Sequence, residues 1–248
     1  MHMEKLISQL MRLYLTPDDA SRDRLAAHLR GHDTLAVQAE GGKTRVIVLA
    51  FDRQNDGTDG HWTALCELAS ILQVEFGFPA PAVSVSGAEG YRLWLSLETP
   101  VPVSEAQQFM ERLQYAHAPA MAPPGPAAAA RPNALPPCLH PRSGRWAAFI
   151  NPGMGASFAD EPGLEMAPPL AAQAAFLDGL ESVSLAQFRQ ALQELDPASL
   201  PARQEATPAP GAPAEGLLLR DASLEDIVRH LHAQNIEPTF RHLLPGTR

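Results

Sequence analysis

The stretch VSVSGAEGYRLWLSLETPVP, residues 83 to 102, predicts two β-strands that meet at a glycine-rich turn. Apolar side chains alternate along its second half, so we expect a strand over residues 91 to 98 with one fully apolar face. Arg92 lies on the other face of that strand, close to the turn SGAEG at 86 to 90. The turn is either a loop that cradles a phosphate or a tight hairpin, in which glycine is needed for steric reasons.

The segments around this hairpin complete an α+β pattern. TRVIVLAF, at 44 to 51, is continuously apolar and β-branched, which predicts a central strand buried on both faces. Residues 61 to 76 repeat apolar side chains at helical spacing. With a second helix after the hairpin, the order strand, helix, strand, strand, helix predicts a mixed or antiparallel sheet with helices on one face.

The hairpin is expected to end at Pro100 and Pro102, since proline interrupts a strand. Ser104 and Gln107 have the spacing of a capping box, which predicts the start of a helix over 105 to 115. The remaining predicted elements are helices over 4 to 15, 18 to 30, 170 to 180 and 184 to 195, and short strands over 135 to 140 and 145 to 150.

Two Ala/Pro-rich segments divide the chain. The first, 116 to 134, is expected to be a flexible excursion within a domain that spans residues 1 to 200. The second, 201 to 216, is expected to be a linker to a C-terminal amphipathic helical segment over 217 to 248. The apolar stripe of that helix is either core or, through residues 223 to 234, a docking surface for a replication protein.

The composition limits the classes of function. The chain has 19 Lys and Arg against 28 Asp and Glu, and its net charge is −9. Binding of nucleic acid over a whole surface is therefore not expected, and any such contact must be a local groove or come through a partner. Two cysteines, Cys66 and Cys138, in unrelated surroundings favour a reducing, cytoplasmic location over a disulfide framework. No apolar run is long enough for a bilayer, so no membrane association is expected.

Three segments are expected to meet at one edge of the sheet: Asp52 after the first strand, the hairpin, and LPPCLHPRSGRWAAFI at 135 to 150. A carboxylate, a histidine and several arginines that meet there could bind a phosphate and a divalent ion. The candidate phosphate-binding or nucleotide-binding residues are Ser86, Gly87, Gly90, Arg92, His140, Arg142 and Arg145, and the candidate catalytic and metal-binding residue is Asp52.

The segments SGAEGYRLWL and LPPCLHPRSGR, with VLAFDRQ before them, resemble the catalytic core of the archaeo-eukaryotic primases, the primase-polymerase superfamily. The resemblance covers residues 44 to 150 and implies an RRM-like core. In that family an Asp-x-Asp pair after the first strand holds two divalent metals, and a Ser-Gly-x-Gly-Tyr-His-x-Trp-like segment binds the phosphates of the incoming nucleotide. A later Leu-Pro-x-Ser-Leu-His-like segment shapes the nucleotide pocket.

The chain departs from the family pattern at two of these elements. VLAFDRQ supplies half of the metal pair: either Ala50 replaces the first aspartate, or Gln54 replaces the second. Arg92 stands where the family has a histidine, and arginine still binds phosphate well. One carboxylate would hold Mg²⁺ or Mn²⁺ only weakly.

Each candidate residue also has a structural interpretation. Asp52 could be a turn residue at a strand end, as segments of this composition often are. Arg92 could simply stack beside Trp94, and His140 could form a hydrogen bond with its adjacent turn.

Three functions follow as hypotheses. The first is a degenerate primase-polymerase-like protein that binds DNA or a nucleotide in a local groove. It would act as an accessory factor in DNA replication or repair, for instance of a mobile element, with lost or weak nucleotidyl transfer. The second is an active primase-polymerase with a rearranged metal site, in which Asp52 acts with an acid from 160 to 165. The third is a protein-interaction module with no nucleic-acid role.

Overall fold

The computed structural model of the chain describes residues 2–15, 22–53, 60–118 and 124–196. Within them the α-helices are α1 (His2–Tyr14), α2 (Arg22–Leu29), α3 (Gly60–Val74), α4 (Val103–His117), α5 (Leu170–Asp178) and α6 (Leu185–Glu194). The strands are β1 (Ala36–Val37), β2 (Lys43–Asp52), β3 (Ala82–Val85), β4 (Gly90–Pro102), β5 (Asn133–Ala134), β6 (Cys138–Leu139) and β7 (Trp146–Ile150). Two 3₁₀ turns cover Ala128–Ala130 and Pro152–Phe158. The linker 201–216 and the predicted helix at 217–248, including 223–234, lie outside the described residues.

Five strands form one sheet in the order β2-β4-β3-β7-β6, and each neighbouring pair is antiparallel. β2 and β3 consequently run parallel, with β4 inserted between them and α3 connecting them, which is a split β-α-β arrangement. β1 and β5 pair separately as a two-stranded sheet. The predicted α+β class, with an antiparallel sheet and flanking helices, is confirmed.

The two faces of β4 bury two different hydrophobic clusters. Tyr91, Leu93, Leu95 and Leu97 pack with apolar residues of α3, α4 and α6, of which Phe109 and Phe188 are fully buried. Trp94, on the other face, packs against Tyr14 of α1 and Phe149 of β7, with ring centroids 5.6 Å and 5.9 Å away. Helices therefore cover both faces of the sheet, and the prediction that they lie on one face is wrong.

The prediction that residues 44 to 51 form a central strand is also wrong. β2 has β4 on one side and lies at the edge of the sheet as far as the described residues show. Its apolar run is still explained by burial, because Ile47 packs in the α3–α4 cluster and Val46 in the α1 cluster. Burial on two faces does not require two neighbouring strands, since helices can cover both faces of an edge strand.

β4 extends past Pro100, the first of the two prolines that were expected to end it, and ends at the second, Pro102. Val101 and Pro102 still pair with Thr44 and Lys43 of β2. The predicted capping box at 104 and 107 is wrong, because α4 begins directly after Pro102 without a side-chain cap. A capping box does occur at the start of α6, where Ser184 and Gln187 exchange both hydrogen bonds.

Gln107 instead orders part of the Ala/Pro-rich segment. Its side-chain oxygen accepts the amide of Ala129 at 3.0 Å, and its amide nitrogen donates to the carbonyl of Gly125 at 3.2 Å. Ala129 is buried, and β5 pairs with β1 a few residues later. In the described parts of the Ala/Pro-rich segment, α4 thus runs to His117, and the residues from 124 onward include a 3₁₀ turn and the strand β5.

The amide side chain of Gln173 completes the edge of β7. β6 pairs with β7 over two residues only. The two residues before β6 are Pro136 and Pro137, and Pro136 would lie opposite Phe149 if the pairing of β6 with β7 continued. Because proline has no N–H to donate, the ladder cannot be completed there. Gln173, 2% exposed, donates to the Phe149 carbonyl at 2.8 Å and accepts its N–H at 2.9 Å.

No helix within the described ranges combines the length and the apolar character needed to cross a bilayer.

We expect Gln173→Leu to lower the free energy of unfolding by about 2–4 kcal/mol, since it leaves the N–H and C=O of Phe149 buried without partners. Urea denaturation followed by circular dichroism measures the change. Gln190→Leu, at an exposed position of α6, is the matched control and should change the free energy by about 0.5 kcal/mol or less. Equal effects of the two substitutions would show that the Gln173 hydrogen bonds contribute nothing.

Candidate functional site

The predicted site segments meet at one end of the five-stranded sheet. β2 ends there with Asp52, β3 ends there and leads into the turn at 86–90, and β4 begins there with Gly90. β6 and β7 also have their hairpin turn, residues 140–145, at this end. The structure thus brings together the three segments that the sequence singles out.

Ser86 closes the glycine turn with its own side chain. Its hydroxyl oxygen accepts the backbone N–H groups of Ala88, Glu89 and Gly90, at 3.2, 3.0 and 3.0 Å. The N–H of Gly87 donates to the carbonyl of Pro162 at 2.8 Å. These donors are the groups that a phosphate cradle would use, and here protein oxygens accept all four. The turn therefore has the hydrogen bonding of a self-satisfied hairpin.

Both glycines of the turn are required by close packing. Gly87 has φ +79°, and a Cβ built on it would lie 3.0 Å from the amide nitrogen of Ala147 and from the Cβ of His140. A Cβ on Gly90 would lie 2.1 Å from the carbonyl oxygen of Phe51 in β2. The turn is thus wedged between β2 and the 140–145 hairpin, which gives the glycines a steric role.

Arg92 and Asp52 form an ion pair at the end of β2 and β4. The register sets Asp52 opposite Gly90 and Arg92 opposite Ala50, so both side chains project from the same face. A guanidinium nitrogen of Arg92 donates to a carboxylate oxygen of Asp52 and also to the carbonyl of Tyr91 at 2.8 Å. The side chains are 22% and 39% exposed, so the pair remains accessible from solvent.

This pair does not fit a two-metal centre. The carboxylate of Asp52 is already neutralised by a fixed cation, the guanidinium of Arg92. Among the described residues, no group of three or more His, Cys, Asp or Glu side chains is arranged to hold a metal ion. Gln54, the alternative partner of Asp52 in the metal pair, lies outside the described residues.

The 140–145 hairpin contacts the glycine turn through a serine. His140 Nδ1 lies 3.1 Å from the Ser143 hydroxyl, and that hydroxyl donates to the carbonyl of Gly87. His140 thus bonds its adjacent turn, as its structural interpretation predicts, while Arg142 is exposed on the same hairpin. Ser143 was not among the residues predicted for the site, although it lies between the predicted strands 135–140 and 145–150, in the segment PRSG, where a serine commonly bonds backbone groups.

Arg145 is paired with an acid from a later loop. Its guanidinium lies 2.8 Å from the Glu161 carboxylate. This hydrogen bond and the positive charge hold the pKa of Glu161 below its usual range. The same loop contacts the start of the site, since the guanidinium of Arg53 donates to the Asp160 carbonyl at 2.9 Å. The hypothesis of an active enzyme brings an acid from 160 to 165 to Asp52, but no sequence signal predicted that this loop contacts Gly87 and Arg145.

Tyr91 anchors the turn to the opposite face of the sheet. Its hydroxyl donates to the Gly155 carbonyl at 2.7 Å, and its ring packs against His61 and Trp62, with centroids 5.2 and 4.9 Å away. Burial, with the nearby Cys66 and Asp160, raises the pKa of Tyr91 to about 12. The tyrosine is therefore a neutral residue with a structural role.

No family model and no curated protein matches the chain, so what the site can do is argued from its geometry. A phosphate oxygen could bind the guanidinium of Arg92 by competing with the carboxylate of Asp52. The exposed Arg142 could contribute a second charge from the hairpin. The arrangement suits reversible binding of a phosphate group.

We expect Ser86→Ala to lower the free energy of unfolding by about 1–3 kcal/mol, because three turn amides lose their common acceptor. Thermal and urea denaturation measure the loss. Ser104→Ala is the control, since Ser104 is exposed at the start of a helix that has no side-chain cap. A Ser86→Ala protein as stable as the Ser104→Ala protein would contradict the role assigned to the hydroxyl.

Proposed function

We propose that this chain is a divergent primase-polymerase-like protein, with an RRM-like core, that binds nucleic-acid or nucleotide phosphates and has lost efficient nucleotidyl transfer. It would act as an accessory factor in DNA replication or repair, in the cytoplasm. One observation carries the proposal. The guanidinium of Arg92 donates a hydrogen bond to the carboxylate of Asp52, and in the family that the sequence resembles a carboxylate at this place binds a divalent metal.

The physical difference between the two cations supports the loss of transfer. Two-metal phosphoryl transfer needs cations about 3.5–4 Å apart that clamp the attacking and the leaving oxygen. A guanidinium supplies one charge on a covalently fixed side chain and cannot activate a hydroxyl nucleophile as a bound metal does. Phosphate affinity can therefore survive while the chemical step is lost.

The charge balance supports a local contact. With a net charge of −9, the protein as a whole repels a nucleic-acid backbone, so binding depends on the few arginines at this end of the sheet. Arg92 is already paired with Asp52, so a phosphate must displace the Asp52 carboxylate in order to bind. The expected affinity is consequently modest and strongly dependent on salt.

An active enzyme with a rearranged metal site is the second candidate. The hydrogen bond from Arg53 to the Asp160 carbonyl brings the loop after Pro152–Phe158 close to the end of β2. Asp160 or Glu165 could then act with Asp52, once Arg92 had moved away from the carboxylate. Glu161 is less suited to this role, because Arg145 already pairs with it.

Primer extension separates the two candidates. The full-length protein, with Mg²⁺ or Mn²⁺, a primed DNA template and nucleotides, is expected to give no extension product. Synthesis that Asp52→Asn abolishes would overturn the proposal and favour the active enzyme.

Binding to single-stranded DNA tests the retained site. Asp52→Asn is expected to tighten binding by about 3- to 10-fold, because it removes the carboxylate that competes for Arg92. Arg92→Gln is expected to weaken binding by about 10-fold, equal to about 1.4 kcal/mol, and to reduce the salt slope by roughly 0.7. Fluorescence anisotropy at several salt concentrations measures both effects.

The control is Arg189→Gln, which removes an exposed positive charge from α6, far along the chain from the site segments. It should leave both the affinity and the salt slope unchanged. Absence of salt-dependent binding, or equal losses in Arg92→Gln and Arg189→Gln, would overturn the proposal and favour a protein-interaction module.

A further inference from the structure

A polar cavity lies along the other end of β2, away from the Asp52–Arg92 pair. It has a volume of about 490 Å³ and is bounded by the first half of β2, by the two-stranded β1–β5 sheet and by residues 128–131. This volume is in the range of small-molecule sites, about 300–1,000 Å³. Val48, the lining residue of β2 nearest to Asp52, is four residues from it in the same strand, which corresponds to roughly 13 Å. The cavity is therefore separate from the Asp52–Arg92 pair.

The charge of the lining is opposite to that of the chain. Among the described residues that line the cavity, the basic side chains are Arg24, Lys43, Arg45 and Arg131, and the acidic one is Glu40. In the whole chain, acids outnumber bases by 28 to 19. Arg24 pairs with Asp33 at 3.5 Å, and Arg45 donates to backbone carbonyls. The side chains that offer positive charge to a ligand are therefore Lys43 and Arg131, and they favour an anionic ligand.

Arg45 is held rigidly in the wall of the cavity. Its guanidinium donates to the carbonyls of Arg12, Leu15 and Leu97, at 2.7, 2.8 and 3.1 Å. It thus joins the end of α1 to the sheet and keeps its charge at a fixed place. Lys43 and Arg131, by contrast, are exposed at the rim, where they can reach a ligand.

The inner wall of the cavity is apolar. Tyr14, Leu35, Val37 and Val46 line it, and each is less than 9% exposed. A small inorganic ion would leave this apolar surface unused. A ligand with a polyanionic end and a flat apolar body would match both parts, with the charges at the rim and the body against the wall.

We propose that this cavity binds an organic phosphate of nucleotide size. The phosphates lie at the rim against Lys43 and Arg131, because guanidinium and ammonium groups bind phosphate oxygens through charge-assisted hydrogen bonds. The apolar body lies against Tyr14 and Val46. The proposal does not depend on the Asp52–Arg92 pair, and it gives the chain a second, independent anion site.

Isothermal titration calorimetry of the full-length protein with ATP, in magnesium-free buffer, tests the site. The double variant Lys43→Gln/Arg131→Gln is expected to weaken ATP binding by about 10- to 100-fold. The matched control is Lys5→Gln/Arg189→Gln, which removes two exposed charges outside the lining and should leave the ATP affinity unchanged. Thermal denaturation of both double variants confirms that they are folded.

Two further titrations define the ligand and the place. Inorganic tripolyphosphate is expected to bind about 10-fold more weakly than ATP, because it cannot use the apolar wall. The Lys43→Gln/Arg131→Gln variant should bind single-stranded DNA with unchanged affinity, which separates this site from the proposed nucleic-acid site. No ATP binding at millimolar concentration, equal losses in the two double variants, equal affinity for tripolyphosphate, or weaker binding of single-stranded DNA by Lys43→Gln/Arg131→Gln would each overturn the inference.

Discussion

Burial of β4 on both of its faces is the constraint on which the rest of the structure depends. Odd-numbered residues such as Tyr91 fill the cluster under α3, α4 and α6, whereas Trp94 fills the cluster under α1 and α5. A shift of one residue would exchange the two sets of side chains, so the register is strongly specified. The same register sets Arg92 opposite Ala50 and Asp52 opposite Gly90. The polar pair at the strand end is thus positioned by the packing of the core.

That pair gives the site its chemical character. Arg92 and Asp52 neutralise each other, and both side chains are partly exposed to solvent. A phosphate could compete with the carboxylate for the guanidinium, whereas a pair of metal ions would need carboxylates that are not already paired with a cation. The glycine turn beside them uses its amides for Ser86 and Pro162. The proposed phosphate binding at this end of the sheet would therefore depend on side-chain cations, whereas the backbone of the turn holds the strands together.

Local sequence signals predicted much of this architecture. They failed where the position of a segment depends on contacts with residues distant in the sequence. The hairpin, the helices and the α+β class follow from periodicity and glycine placement. The central position expected for residues 44 to 51 was wrong, because an apolar run reports burial and does not report the number of neighbouring strands. The Ala/Pro composition of 116–134 likewise could not reveal that Gln107 would hold its later part against α4.

The sequence by itself determined the hairpin and the faces of β4, because strand alternation and turn chemistry are local properties. The order of the predicted strands and turns also indicated that Asp52, Arg92 and the 140–145 turn meet at one end of a sheet. Only the tertiary structure decided what these residues bind to. The partners of Gly87, Arg53 and Arg145 come from residues 160–162, which lie 107 residues after Arg53 and 75 residues after Gly87. The basic cavity beside β2 likewise combines segments that share no motif. Such contacts depend on how the elements pack, which no short pattern encodes.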